Sequence, residues 1–356
     1  MDFTSVQHKL RNWYQKHYRP LPWRKTRDAY SIWLSEIILQ QTRVNQGLPY
    51  YERFIQKYPK VTDLAEAPQE EVLKLWEGLG YYSRARNMHS AAQSIVKEHK
   101  SRFPDQYAAI RSLKGVGDYT AAAIASFAYD LPHAVVDGNV QRVLSRFFAE
   151  YEAVNSTKGK KRFQDLADGF LDTTDPATHN QALMELGATL CKPKNPECEA
   201  CPLSEACQAQ ARGIQDELPV KQRKSYDRQR YFNFWFLQQA GNTWLQQRKE
   251  GIWKGLFQFP LYESGQELTK DQALEQLQIM GLQSLDLEIQ RHDLALHKLS
   301  HQSLFITVWK VRLSPDATLR EQADWKKVTV SQLEDFAIPR PLRKFLDENQ
   351  LTLPLD

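Results

Sequence analysis

At 356 residues, 42% hydrophobic and 25% charged, the chain is long enough for about two globular domains, each burying its own core. Its 47 Lys and Arg against 43 Asp and Glu leave a net charge of +4, a mild basic bias that fits a polyanionic partner. A mean hydropathy of -0.60 and the lack of any apolar run of membrane-spanning length argue against membrane-spanning helices, and the opening MDFTSVQHKLRNWYQKHYRP lacks the apolar core of a secretory signal, so a cytoplasmic location is expected.

Up to about residue 213 the pattern is helical. Apolar residues recur at three and four over Ile32 to Leu39, Val72 to Leu79, Ala121 to Ala128 and Ala182 to Leu190. Within the first of these segments sits Glu36, where desolvation would raise its pKa and keep it protonated often enough to serve as a general acid; a solvated helix-surface Glu is the ordinary alternative. Gly115-Val116-Gly117, directly before a helical run, lets backbone N–H groups approach an anion at a positive helix end. Asp137, some twenty residues on, precedes another helical run, as an N-cap would.

All four cysteines fall within 17 residues, as Cys191, Cys198, Cys201 and Cys207 with C-x6-C-x2-C-x5-C spacing. Four thiolates from one short loop fit a thiophilic metal centre, either tetrahedral zinc or an iron–sulfur cluster. Two disulfides would require an oxidising compartment, which the opening residues argue against.

The polar, basic stretch at 214–228, interrupted by Pro219, is expected to be a linker. Beyond it, Tyr231 to Leu237 and Leu304 to Leu313 are rich in aromatic and β-branched residues and predict strands, while Thr269 to Met280 and Pro341 to Asn349 predict helices. The expected architecture is multidomain, an all-α half at 1–213 and an α+β half at 229–356.

The hairpin with its trailing Val136-Asp137-Gly138 and the cysteine loop together resemble the helix-hairpin-helix DNA glycosylases of the endonuclease III superfamily. In that superfamily such a loop holds a 4Fe-4S cluster, and the aspartate faces the sugar of the extruded nucleotide. Trp33-Leu34-Ser35-Glu36-Ile37-Ile38-Leu39-Gln40-Gln41-Thr42 resembles the signature of MutY-type adenine DNA glycosylases. Further matches are Leu21-Pro22-Trp23-Arg24, Gly78 to Arg86 and Gln181 to Ala188. The resemblance covers residues 8 to 213. It departs at Lys114, where the family usually has proline.

Carried over by position, the resemblance makes Glu36 the acid that protonates the departing adenine, and Asp137 the stabiliser of the cationic sugar. Tyr119 and Asn139 become their neighbours in the same pocket. Trp23, Arg24 and Gln181 would contact the flipped base, Gln41 and Tyr81 would wedge into the duplex at the lesion, and Gly115, Val116 and Gly117 would hold DNA phosphate. Tyr119 stands where lyase-competent relatives carry a Schiff-base lysine, implying a monofunctional enzyme. Gly251 to Pro260 resembles a strand region of the family's Nudix-like domain, which recognises 8-oxoguanine. The metal-binding glutamates of the Nudix hydrolase box are absent, and Ser300 and His301 fall where the family has a lesion-reading loop, with Leu299 in place of its phenylalanine.

What the resemblance implies is therefore an adenine glycosylase of base excision repair, acting as a monomer on duplex DNA with A opposite 8-oxoguanine or A opposite G, in a bacterial cytoplasm and nucleoid-associated. A glycosylase-lyase for oxidised pyrimidines and a catalytically silent DNA-binding scaffold are the rivals. Tyr119 counts against the first, and retention of Glu36 with Asp137 against the second.

Overall fold

The computed structural model describes residues 3–222, 228–283, 287–299, 302–320, 322 and 324–349. The chain divides into two compact units, residues 1–66 with 87–224 and residues 67–86 with 225–356. The first half carries helices α1 (Thr4–His17), α2 (Ala29–Leu39), α3 (Val44–Lys57), α4 (Val61–Glu66), α5 (Gln69–Leu75) and α6 (Ser83–Glu98). These are followed by α7 (Tyr107–Ser112), α8 (Asp118–Tyr129), α9 (Gly138–Phe147), α10 (Thr157–Phe170), α11 (Pro176–Thr189) and α12 (Gln208–Arg212). The predicted helix at 72–79 ends early because Gly78 (φ 98°) and Gly80 (φ 71°) turn the chain into the left-handed region.

Two helices of the first unit, α2 and α8, are apolar nearly all round and lie against each other. A helix apolar on every face belongs in the interior. The run Ala121-Ala122-Ala123 on α8 has no bulk to hold its neighbour away, and Asp28 starts α2 as an N-cap, its Oδ2 accepting from Ser31 N at 2.8 Å. A second core forms where α1, α9, α10 and α11 meet, around Leu10, Leu144, Phe163, Phe170 and Leu186.

The hairpin before α8 is built on Gly115. Its φ of +83° lies in the left-handed region, and a Cβ there would stand 2.7 Å from the Cβ of Asn87. Arg111 ties the turn from below, donating from Nη1 to Val116 O at 2.9 Å and from Nε to Asp118 Oδ1. The turn is complete with Lys114 at the usual proline position.

Much of the stretch expected to be a linker is fastened to this unit. Arg146 Nε donates to the carbonyls of Gln215 and Leu218, Leu218 is buried, and Val220 O accepts from Val154 N.

The second unit contains strands β1 (Arg228–Gln238), β2 (Asn242–Gln247), β3 (Phe257–Gln258), β4 (Leu261–Ser264), β5 (Leu282–Gln283), β6 (Glu288–Asp293), β7 (His297–Lys298), β8 (Gln302–Arg312), β9 (Thr318–Leu319) and β10 (Trp325–Thr329), with helices α13 (Lys270–Ile279) and α14 (Arg340–Glu348). Its main sheet runs β4-β1-β8-β6. Strands β1 and β8 are parallel, and their partners β4, β6 and β7 are antiparallel.

Alternation along β1 splits its aromatics between two cores. Phe232, Phe234 and Phe236 face Leu342, Phe345 and Leu346 of α14, while Trp235 and Leu237 face Ala273 and Leu277 of α13. This α+β layering agrees with the sequence expectation. In the same unit, Lys74 Nζ donates to Phe336 O, Arg343 Nε to Glu77 Oε1 and Arg86 Nη1 to Lys254 O. Residues 67–86 are thus held by the strand-bearing half.

Candidate active site

A cavity of about 630 Å³ opens between the ends of α2, α8, α9 and α11, and most of the residues expected to act on or hold the base meet on its walls. Trp23, Arg24, Glu36, Gln41, Tyr119, Asp137, Asn139 and Gln181 all line it. Glu36 is only 5% exposed, on a helix whose other faces are packed. Burial raises its pKa to about 7, the negative charge of Asp137 pushes the same way, and hydrogen bonding from Tyr119 and the nearby Arg24 charge pull against them. The Tyr119 hydroxyl donates to Glu36 Oε2 at 2.7 Å, and burial keeps that phenol protonated.

Asp137 is the N-cap of α9, its Oδ1 accepting from Val140 N at 2.7 Å. Its Oδ2 accepts from Asn139 Nδ2 at 2.9 Å. Burial raises its pKa while these bonds oppose the rise. Cap and cavity carboxylate are therefore one residue, with one oxygen spent on the helix and the other held by Asn139.

From Asn139 a chain of bonds leads to the cysteine loop. Arg142 Nη2 donates to Asn139 Oδ1 at 2.8 Å and its Nε to Cys191 O at 2.7 Å, while Arg146 Nη1 stands 3.3 Å from Cys191 Sγ. Gly187 allows this approach of α11 to α9, since a Cβ there would lie 2.7 Å from the Cβ of Asn139.

All four cysteines line one cavity of about 30 Å³ walled by Val143, Phe147, Leu186 and Leu203, and none is in a disulfide. Burial raises the Cys201 thiol to about 12 and pushes Cys198 and Cys207 up as well. Among the described residues, no group of three or more His, Cys, Asp and Glu side chains is arranged to hold a single metal ion.

The first half of the chain matches the HhH-GPD superfamily of base excision DNA repair proteins over residues 34–167, and the second half matches the NUDIX domain over 233–348. The adenine DNA glycosylase of Buchnera aphidicola subsp. Acyrthosiphon pisum is 33% identical over 94% of this chain and 95% of its own length. The chain belongs to the adenine DNA glycosylase family. The Rattus norvegicus member is also 33% identical, over 96% of this chain and 77% of its own. A thermostable thymine-DNA glycosylase of known structure superposes with a TM-score of 0.54 at 29% identity, covering 59% of this chain and all of that one. The fold is accordingly a helix-hairpin-helix glycosylase domain followed by a Nudix-like domain.

Tyr81, also expected at the DNA, is not among the residues that line the cavity. It belongs to the second compact unit, where it is 46% exposed with φ 46° between the turns at Gly80 and α6. Ser300 and His301 lie outside the described residues. The residue that precedes them in the chain, Leu299, packs against the apolar cluster that contains Phe232 and Leu304.

Sequence reasoning assigned no role to Glu185. It is fully buried, and its carboxylate takes two bonds from the Arg19 guanidinium, at 2.7 and 2.8 Å, a third from Arg19 N at 3.1 Å, and one from Arg24 Nη2 at 2.8 Å. Burial alone would raise its pKa, but the two arginines outweigh it and hold it at about 2. The signal that could have found it is a Glu on the same helical stretch as Ala182, Leu183 and Leu186, too apolar a setting for an unpaired charge.

Proposed function

We propose that this protein is a monofunctional adenine DNA glycosylase of base excision repair, hydrolysing the N-glycosidic bond of adenine opposite 8-oxoguanine or guanine in duplex DNA. The observation that carries the reading is Glu36, a carboxyl with its pKa at about 7 that shares one cavity with Asp137. At neutral pH such a group is protonated for a large fraction of the time, as a general acid for a heterocyclic leaving group must be.

In this reading the target adenosine rotates out of the duplex into the 630 Å³ cavity. Trp23, Arg24 and Gln181 hold the base, and Glu36 delivers its proton to N7 with Tyr119 fixing the donor oxygen. As the bond breaks, positive charge develops on the deoxyribose and the Asp137 carboxylate, kept in place by Val140 N and Asn139, stabilises it. Water then completes hydrolysis, directly or after covalent attachment to Asp137.

The hairpin of Gly115, Val116 and Gly117 binds backbone phosphate through the N–H groups of its two glycines, the Val116 N–H being donated to Leu113 O within the turn. Gln41 and Tyr81 insert at the lesion, and Ser300 and His301 read 8-oxoguanine from the Nudix-like domain. The functional division is a catalytic domain at 1–213, a connecting segment at 214–228 and a lesion-reading domain at 229–356. The enzyme works as a cytoplasmic, nucleoid-associated monomer; among the described residues no helix is long and apolar enough to cross a membrane.

The cofactor in this reading is a 4Fe-4S cluster on Cys191, Cys198, Cys201 and Cys207. Four sulfurs spread around an apolar cavity suit a multi-atom centre, and thiols whose pKa burial raises need cationic metal to become thiolates. When bound, the cluster supplies a cross-link for residues 191–207, and Arg146 and Arg142 join that loop to Asn139. Purified protein should be brown and contain about four irons and four sulfides per chain, the stoichiometry of a cubane cluster. Stoichiometric zinc from iron-replete cells would reject this. Cys198→Ser should weaken DNA binding or folding more than it slows single-turnover chemistry.

The decisive assay uses duplexes with A opposite 8-oxoguanine, A opposite G, or a damaged pyrimidine. Breaks are expected only at adenine and only after alkali, with little borohydride-trapped enzyme. Tyr119→Lys would set an amine beside the sugar and should increase trapping. Efficient trapping by the native protein would mean that another lysine is the nucleophile and that the enzyme is bifunctional.

A further inference from the structure

Tyr14 sits on α1 with its ring buried, behind the cavity wall to which Gln181 contributes. Its hydroxyl lies 2.6 Å from Gln181 Oε1. A glutamine amide has two ends of nearly equal shape and opposite hydrogen-bonding sense, so the group that holds one end decides what the other presents. Burial pushes the Tyr14 phenol up to about 12, and it keeps its proton at neutral pH. A buried O–H without an acceptor is costly, and among the described residues the Gln181 oxygen is the one it meets. Reversing the amide would let the phenol oxygen accept from Nε2 but leave its own proton with no partner.

The neighbouring guanidinium is held in a comparable way. Arg24 donates to Glu185 Oε2 at 2.8 Å and to Arg19 O at 3.2 Å, and its Cζ lies 5.8 Å from the centre of the Tyr14 ring. Gln181 and Arg24 are thus held from behind by Tyr14 and Glu185, neither of which lines the cavity.

We propose that Tyr14 is a positioning residue that fixes the Gln181 amide with its Nε2 donor toward the cavity, so that Gln181 selects a base edge carrying a ring-nitrogen acceptor. The inference rests on the adenine reading of the cavity, since adenine offers such acceptors around its rings. It assigns Tyr14 no contact with substrate. Its effect passes entirely through one side chain.

A double-mutant cycle tests this with the full-length, cluster-loaded protein and an A opposite 8-oxoguanine duplex under single-turnover conditions. Tyr14→Phe keeps the ring beside Arg24 and deletes the O–H. In the native background it should slow adenine release by roughly 2- to 12-fold, the span expected for one hydrogen bond. In a Gln181→Ala background the same change should have no further effect. Gln181→Glu separates orientation from mere contact, because it keeps an acceptor for Tyr14 while replacing the cavity-facing donor with an oxygen; it should be at least as slow as Gln181→Ala. Equal slowing by Tyr14→Phe in both backgrounds would assign Tyr14 a general structural role, and a Gln181→Glu variant as fast as native would mean that the amide faces the other way. Either result overturns the proposal. Failure of the native protein to release adenine would instead overturn the glycosylase reading, so the two failures are distinguishable.

Discussion

Glu36→Gln should lower single-turnover adenine release by ~10² to 10⁴-fold, the loss typical of a missing general acid, with duplex binding kept within a few fold. The substitution preserves shape and can still accept from Tyr119, which donates to Glu36 Oε2 at 2.7 Å. What it removes is a transferable proton. With the native carboxyl at about 7, the rate should fall as pH rises through that value, because the protonated acid is consumed there. The stability contribution of the native carboxyl should also fall as pH rises. A carboxyl whose folded pKa is raised contributes fully below its unfolded value, and that contribution is lost as pH rises through the folded pKa. The shift from 4.5 to about 7 corresponds to up to about 3 kcal/mol, so Glu36→Gln should be more stable than native at pH 8, with the difference vanishing near pH 4. Denaturant midpoints at the two pH values check the sign, and near-native cleavage by the variant would remove Glu36 from the chemistry.

The placement of Glu36 was legible because a lone charge inside Ile32 to Leu39 is conspicuous against its neighbours. Periodicity located α2, α8 and α11 within a few residues, the helices expected at 269–280 and 341–349 are α13 and α14, and aromatic and β-branched composition gave the long strands β1 and β8. Pairing escaped the sequence. That β1 lies parallel to β8 depends on contacts across about 75 residues, and Glu185 meets Arg19 and Arg24 across 166 and 161. No local pattern encodes such distances. The same holds for Tyr14, whose place on α1 reads as ordinary core until its hydroxyl is seen beside Gln181, 167 residues away. Residues 67–86 escaped for a different reason. Their apolar positions, Val72 and Leu73 among them, fit a helical bundle as well as they fit the strand-bearing half, and only the partners of Lys74, Glu77 and Arg86 reveal the grouping.

Asp137→Asn should slow adenine release by roughly 10² to 10³-fold, through loss of the charge that faces the developing sugar cation. Folding should be little affected, because Asn is as good an N-cap as Asp and can still accept from Val140 N. The second oxygen is where the substitution acts. Native Oδ2 accepts from Asn139 Nδ2 at 2.9 Å, and an amide nitrogen in its place would set donor against donor and loosen the join to Arg142. A further effect distinguishes a charge role from a purely geometric one. The Asp137 charge helps raise the Glu36 pKa, so removing it should shift the alkaline limb of the residual pH–rate profile toward lower pH. Asp137→Ala removes the same charge together with the cap, and should shift that limb equally while lowering stability by about 0.5 to 2 kcal/mol. An alkaline limb unmoved in both variants would mean that the two carboxyls do not sense each other. A rate within tenfold of native would take Asp137 out of sugar stabilisation altogether.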